Sequence, residues 1–282
     1  MPELPEVETV RKGLEKLNNN FHIERVEVLK ERSIASIGGS ENFVNKINNS
    51  YLGNWERRGK YLIGSLHTKE KNSKGFLVVH LRMTGQFKLL EKKILPCKHT
   101  RVRFLEKGGK ELRFIDIRNF GQMWYVPSAK SVPEIVSGIK RLGPEPFSTN
   151  FNSGYLKEYL KKKTRSIKSA LLDQETVAGV GNIYADETLF DAGIDPRTES
   201  RNLKSDELKK LCSSLVKILK ISIGEGGTTF SDFRDLEGIN GNYGGQAWVY
   251  RRAGKNCRKC GETILREKIC GRSTHWCPNC QK

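Results

Sequence analysis

Apolar residues recur at two different spacings along the chain, and the change of spacing divides it. Val7, Val10, Leu14 and Leu17 lie three, four and three apart, which predicts an amphipathic helix. Pro5 and Glu6 fall in its first turn, where a missing N–H is tolerated and a negative charge meets the positive end of the helix dipole. From residue 23 to 126 the pattern changes to short β-rich runs at 23–29, 61–66, 76–81, 87–90, 102–105, 112–117 and 123–126. Turn formers such as Gly38-Gly39, Asn72-Ser73-Lys74-Gly75 and Lys107-Gly108-Gly109-Lys110 separate them, so an antiparallel sandwich or barrel is expected. Further on, 155–172, 183–191 and 206–223 read as helices. The last puts Leu208, Leu211, Leu215, Ile218 and Leu219 on one face, with Ser205 as its N-cap.

Gly143-Pro144-Glu145-Pro146 can continue neither a helix nor a central strand and is expected to link the two halves. A glycine-rich stretch, 224–245, leads into a short terminal module, and no internal repeat is evident. The domain expectation is therefore 1–143, 144–245 and 246–282. A chain of 282 residues suits about two domains, each large enough to bury a core.

Charge narrows the class of partner. Fifty Lys and Arg against 32 Asp and Glu give +18, spread along the chain, which favours a polyanion over a merely solvated basic surface. No apolar run reaches 18 residues, and two prolines and three glutamates among the first eight residues are unlike a signal peptide. A cytoplasmic protein with no membrane association is expected. Five of the seven cysteines fall in the last 26 residues, which points to metal rather than to disulfides.

Cys257 and Cys260, sixteen residues, then Cys277 and Cys280 have the spacing of a four-thiolate tetrahedral zinc site, so one structural Zn2+ is expected. Cys270 is off that spacing and reads as a buried or free thiol; His275 would compete as a ligand only if the second pair were incomplete. Gly271-Arg272-Ser273-Thr274 is expected to form a hairpin tip, where an arginine either grips a phosphate or is simply solvated. At the other end, removal of Met1 would leave Pro2 with a nucleophilic secondary amine, beside the acid Glu3.

Taken together, residues 2–9 (Pro-Glu-Leu-Pro-Glu-Val-Glu-Thr), 80–85 (His-Leu-Arg-Met-Thr-Gly), 116–121 (Asp-Ile-Arg-Asn-Phe-Gly), 179–187 (Gly-Val-Gly-Asn-Ile-Tyr-Ala-Asp-Glu) and the four-cysteine ribbon resemble the formamidopyrimidine-DNA glycosylases, bacterial enzymes that remove oxidised purines. The resemblance implies an α+β fold of two lobes: an N-terminal β-sandwich with flanking helices, and a C-terminal helix-two-turn-helix plus C4 zinc ribbon. It implies that Pro2 is the Schiff-base nucleophile and Glu3 the general acid and base at the sugar. Lys60 would contact phosphate from a β-hairpin and donate a proton in β-elimination, and Arg272 would grip phosphate and serve δ-elimination. His99, Arg118, Lys163 (the register within 161–163 being open) and Asn182 match DNA contacts of the family.

An enzyme that flips a base must fill the hole it leaves, and Met83, Arg118 and Phe120 match the residues that do so. Met83 and Phe120 should then be unusually exposed, whereas their ordinary role would be in a core. Glu6 resembles a supporting acid, and helix-dipole placement explains it equally well. Lesion recognition in the family uses a loop matching 226–245. The chain departs from the family pattern in its glycine-rich segment 238–245 and at Arg251-Arg252, where many relatives have Gly-Arg. The implied partner is duplex DNA carrying oxidised purines or abasic sites, bound by a monomer. Two alternatives stand beside this: an endonuclease VIII-type glycosylase for oxidised pyrimidines, against which Leu4 speaks, and a non-catalytic zinc-ribbon DNA-binding protein.

Overall fold

Leu4, Val7, Val10 and Leu14 are fully buried along one face of α1 (Leu4–Glu15), so the N-terminal helix is a packed element. The structure, a computed structural model, describes residues 1–17, 21–228 and 241–282. It divides into two compact units, Met1–Lys140 with Gly226–Gly241, and Arg141–Glu225 with Asn242–Lys282.

Among the described residues of the first unit, nine strands form two antiparallel sheets: β1 (His22–Ile23), β2 (Arg25–Val28), β3 (Ser50–Arg58), β4 (Tyr61–His67), β5 (Ser73–His80), β6 (Gly85–Leu90), β7 (Thr100–Leu105), β8 (Glu111–Asp116) and β9 (Gln122–Val126). One sheet has the order β1-β3-β4-β5-β9 and the other β2-β7-β8-β6. A single core joins them: Leu62, Leu77, Val79 and Met123 from one, Val102, Phe104, Leu112 and Phe114 from the other. Val7, Val10 and Leu14 of α1, and Phe43 and Ile47 of α2 (Gly39–Ile47), pack into the same core. Two short helices, α3 (Val132–Ile135) and α4 (Ser137–Lys140), close the unit.

The run expected as one strand at 23–29 breaks at Glu24, and its halves enter different sheets: Ile23 pairs with Ser50, Val26 with Phe104. Helix α2 and strand β3 lie where the apolar pattern predicts no element. The Gly38-Gly39 pair that reads as a turn is the start of α2, with Gly38 in the left-handed region at φ 81°. In β3 a register shift between Leu52 and Trp55 interrupts the alternation that would have announced a strand.

The second unit contains α5 (Ser153–Leu160), α6 (Ile167–Leu172), α7 (Asn182–Ala192), α8 (Ser205–Gly224), α9 (Tyr243–Gln246), and a hairpin of β10 (Leu265–Ile269) and β11 (Arg272–Trp276). The helix expected over 155–172 is two. The first ends at Lys161, and Ser166 caps the second, accepting from the Ser169 amide. Lys204, not Ser205, is the N-cap of α8, and Glu207 accepts its N–H at 2.7 Å. The ribbon's tip is Cys270-Gly271, both at positive φ (45° and 78°), as a two-residue hairpin turn requires. Residues 272–274, expected in the tip, therefore belong to β11, and Cys270 is an exposed free thiol.

Gly64 pairs with Trp55 across β3 and β4, and a Cβ there would stand 2.9 Å from the buried indole ring. Gly64→Ala should therefore lower the unfolding free energy by about 1–3 kcal/mol through overpacking. An unchanged urea midpoint and slope would show that the sandwich has room at this point.

Candidate active site and nucleic-acid interface

Pro2, Glu3 and Glu6 are all buried at the start of α1. The Glu6 carboxylate accepts the Glu3 backbone N–H at 2.8 Å with one oxygen and the Thr228 N–H at 2.7 Å with the other. It thus fixes the backbone of Glu3 and the first described residues of the 226–245 segment, a role beyond helix-dipole complementation. Gly227, at φ 81°, lies so close that a Cβ would fall 2.9 Å from a Glu6 oxygen. Residues 229–240, where most of the expected lesion-recognition loop falls, lie outside the described residues.

Lys60 sits in the turn between β3 and β4, after Gly59 at φ 57°. It is only 7% exposed, which sets it apart from a solvated turn lysine. Arg57 donates to the Gly59 carbonyl at 3.0 Å and to Glu8 of α1 at 3.1 Å, so one guanidinium binds the Lys60 turn to the helix that carries Pro2 and Glu3.

Met83 and Phe120, 36% and 37% exposed, stand out from the buried apolar residues around them. Asp116, fully buried at the end of β8, organises both turns that carry them. One oxygen accepts the Thr84 hydroxyl and the Arg118 N–H (3.2 Å); the other accepts the N–H groups of Phe120 (2.8 Å) and Gly121 (2.7 Å). His80 holds the Met83 turn from the other side, accepting the Arg82 N–H at Nδ1 (2.9 Å). Burial, with Arg82 and Lys60 adding to it, drives its pKa down to about 3, so the acceptor is a neutral imidazole. Arg82 takes the left-handed conformation, φ 54°, and donates to Gln122 at 2.7 Å. Met1, Arg32, Arg82, Met83, Phe120 and Gln122 line one cavity of about 390 Å³, so the chain's first residue lies beside the exposed apolar pair. His99 is half-buried immediately before β7, its carbonyl accepting from the Asp116 N–H.

In the second unit Asn182 opens α7 and donates from Nδ2 to the Ser273 carbonyl at 2.8 Å. Its Oδ1 is buried and has no partner among the described residues. A buried ion pair stands behind it: Lys168 with Asp186 at 2.6 Å, both fully inaccessible. Lys168 also donates to the Ser273 carbonyl (2.9 Å) and the Thr274 hydroxyl (2.8 Å), while Asp186 accepts the His275 N–H (2.9 Å). β11 is thereby locked to α6 and α7, and Arg272, exposed at its start, is presented on the same strand that Asn182 touches. Lys163, exposed between α5 and α6, places its ammonium 5.2 Å above the Tyr159 ring.

The sulfur atoms of Cys257, Cys260, Cys277 and Cys280 lie within 4.8 Å of one another. Tetrahedral Zn–S bonds of about 2.3 Å put sulfurs roughly 3.8 Å apart, so the four residues fit one zinc ion. His275 is held by Asp186 and takes no part. Four thiolates leave no open position, so the metal is structural. Arg251, the departure from the family's glycine, sits at φ 58°, in the conformation that favours glycine. Just before it, the buried Glu187 carboxylate accepts the N–H groups of Trp248, Val249 and Tyr250 at 2.8–2.9 Å.

Sequence reasoning passed over His80, Asp116, Asp186 and Glu187, though each stands at the first or last positions of a motif that it singled out. Lys168 also carried a signal, a lysine inside the apolar run after Ser166.

Two outcomes follow from this geometry. Between pH 6.5 and about 3 the unfolded chain binds a proton that folded His80 refuses. Stability should therefore fall as pH falls through that window, by up to roughly 1.4 kcal/mol per unit. His80→Asn, which keeps an acceptor without titrating, should lack that component; identical stability profiles for the two would refute a buried neutral histidine. Removing zinc with a chelator should unfold the ribbon and shift Trp276, now 3% exposed beside Cys277, to red emission; an unshifted spectrum would mean that the ribbon stands without metal.

Three family models match the chain: the formamidopyrimidine-DNA glycosylase N-terminal domain over residues 1–123, its H2TH domain over 142–234, and a zinc finger found in FPG and IleRS over 254–282. A formamidopyrimidine-DNA glycosylase of Prochlorococcus marinus strain NATL2A is 86% identical over 282 residues, all of both chains. A Lactococcus lactis FPG mutant in complex with Fapy-dG containing DNA is similar in structure, with a TM-score of 0.90 and 34% identity over the whole of each chain. MutM in complex with carbocyclic 8-oxo-G containing DNA gives 0.89 at 34% identity, again over both whole chains. Family models that cover both ends and the middle, together with end-to-end identity, show that the chain belongs to the formamidopyrimidine-DNA glycosylase family.

Proposed function

We propose that this protein excises 8-oxoguanine and formamidopyrimidines from duplex DNA and then cuts the strand by β,δ-elimination, as a bifunctional glycosylase and AP lyase. The observation that carries the reading is the anchored N-terminus. Pro2 and Glu3 are buried where a chain end is ordinarily frayed, and Met1 shares a cavity with the exposed Met83 and Phe120.

With Met1 removed, the Pro2 nitrogen bonds to C1′ of the damaged nucleotide as the base departs with the glycosidic electron pair. The nitrogen lone pair then forms an iminium and opens the sugar ring. The iminium acidifies the C2′ proton; its loss expels the 3′ phosphate, and a second elimination expels the 5′ phosphate. Glu3 shuttles protons at the sugar, and its burial in a fixed backbone suits that task. Lys60, tethered to α1 through Arg57 and Glu8, supplies the proton for β-elimination, and Arg272 assists the second elimination while gripping phosphate. Met83, Arg118 and Phe120 fill the vacated stack; His99, Lys163 and Asn182 hold the backbone. A zinc ion bound by Cys257, Cys260, Cys277 and Cys280 would hold the ribbon that presents Arg272. A monomer suffices for one flipped base. The domain reading remains 1–143 for the catalytic and sandwich part, 144–245 for the helical part and 246–282 for the ribbon. Among the described residues no helix is long and apolar enough to cross a membrane. The bacterial relatives support a place in the cytoplasm, and association with nucleoid DNA is part of the proposal.

Borohydride trapping on duplexes carrying 8-oxoguanine, an oxidised pyrimidine or an abasic site tests the reading, with the mature Pro2 terminus verified by mass spectrometry. Adducts on the purine and abasic duplexes are expected. Pro2→Gly should cut trapping at least about 100-fold with DNA affinity largely kept. Trapping chiefly on the pyrimidine duplex would select the endonuclease VIII type, and no adduct on any duplex would leave only a zinc-ribbon DNA-binding protein.

A further inference from the structure

Arg32 belongs to none of the motifs above. It lies in a short turn, Glu31–Ser33, after β2, and is exposed. Its guanidinium carbon is 5.4 Å from the centre of the Phe120 ring, and that of Arg118 is 4.9 Å from the same centre. Each cation is attracted to the ring, but the two repel one another, and their shared neighbourhood contains a third: Arg82 lines the cavity with Arg32, Met83 and Phe120. Among the described residues none of the three arginines has an ion-pair partner. The nearby acids are turned elsewhere. Glu31 accepts from Ser40, and both oxygens of Asp116 are occupied by Thr84 and the backbone of 118–121.

Three uncompensated guanidiniums around two exposed apolar side chains make a site short of one negative charge. We infer that Arg32 is a further DNA-contacting residue, which binds a backbone phosphate beside the wedge together with Arg82 and steadies Phe120 in its stacking position. A phosphate drawn to this point relieves the repulsion between Arg32 and Arg118, so the two should bind better together than their separate effects suggest. The wedge is then a five-residue unit, Arg32, Arg82, Met83, Arg118 and Phe120. This inference rests on the glycosylase reading, and in particular on Met83 and Phe120 entering the stack.

The test uses the full-length mature protein and a duplex with a tetrahydrofuran abasic analogue, which binds without being cut. Arg32→Met should weaken binding roughly tenfold at low salt and make the log–log salt slope shallower by about 0.9, the loss of one phosphate contact. Arg32→Lys should restore the slope. As a second readout, Arg32→Met should slow single-turnover excision from 8-oxoguanine duplex more than borohydride trapping on a single-stranded abasic oligonucleotide, which has no stack to fill. An unchanged slope, or equal slowing on both substrates, would overturn the assignment. Should Arg32→Met fold poorly, Arg32→Gln removes the same charge. Wild-type protein that traps no substrate would instead overturn the glycosylase reading, which separates the two failures.

Discussion

A carboxylate removed from water must have its oxygens satisfied, and in this molecule the groups that satisfy them are the backbone N–H groups of the functional loops. Glu6 takes those of Glu3 and Thr228; Asp116 those of Arg118, Phe120 and Gly121; Glu187 those of Trp248, Val249 and Tyr250; Asp186 that of His275. Each acid stands on or beside a regular element, α1, β8 or α7; Glu6, Asp116 and Glu187 reach out to irregular segments, and Asp186 to strand β11. The scaffold thus positions the loops through charge-assisted hydrogen bonds, where apolar packing would have little side chain to work on. Truncating such an acid would leave several donors unpaired at about 1–3 kcal/mol each, so the loops are held by interactions too strong to be exchanged for water.

The same device bears on Glu187: burial pushes its carboxyl pKa up, the N–H groups of 248–250 oppose that rise, and the nearby Asp186 adds to it, with the net direction upward. Lys168 and Asp186 solve the matching problem between α6, α7 and β11 by pairing directly. The remaining Lys168 donors go to the Ser273 carbonyl and the Thr274 hydroxyl, so the buried ammonium has polar partners besides Asp186.

Legibility in the sequence followed from how local each feature is. The core face of α1, the apolar face of α8 and the four thiolates are set by spacing alone. The strand run at 23–29 and the helix at 155–172 were misjudged because tertiary pairing overrode continuous apolar patterns: Glu24 gives its N–H to Leu105 at a corner between sheets, and Ser166 restarts a helix after the basic residues 161–163. α2 was hidden by glycines that serve as its start, and β3 by its bulge. Candidate site residues were visible where motif and neighbour coincide. The burial of Lys60, the neutrality of His80 and the approach of Arg32 to Phe120 depend on pairings between distant segments, and no spacing rule encodes those.

One consequence concerns the sign of the surface. The excess of 18 positive charges is a sum, and a sum does not say where the imbalance is expressed. Four acids of the functional loops are spent inward, on N–H groups and on Lys168, and none of them is available to neutralise an arginine at the surface. Arg32, Arg82 and Arg118 are left facing outward without ionic partners among the described residues, and Arg272 stands exposed at the start of its strand. The internal hydrogen bonding that shapes the loops therefore also creates the local positive field that a phosphate backbone answers. Loop geometry and affinity for a polyanion are two results of the same placement of carboxylates, so a substitution that pulled one of these acids out to solvent would both slacken a loop and weaken the field around it.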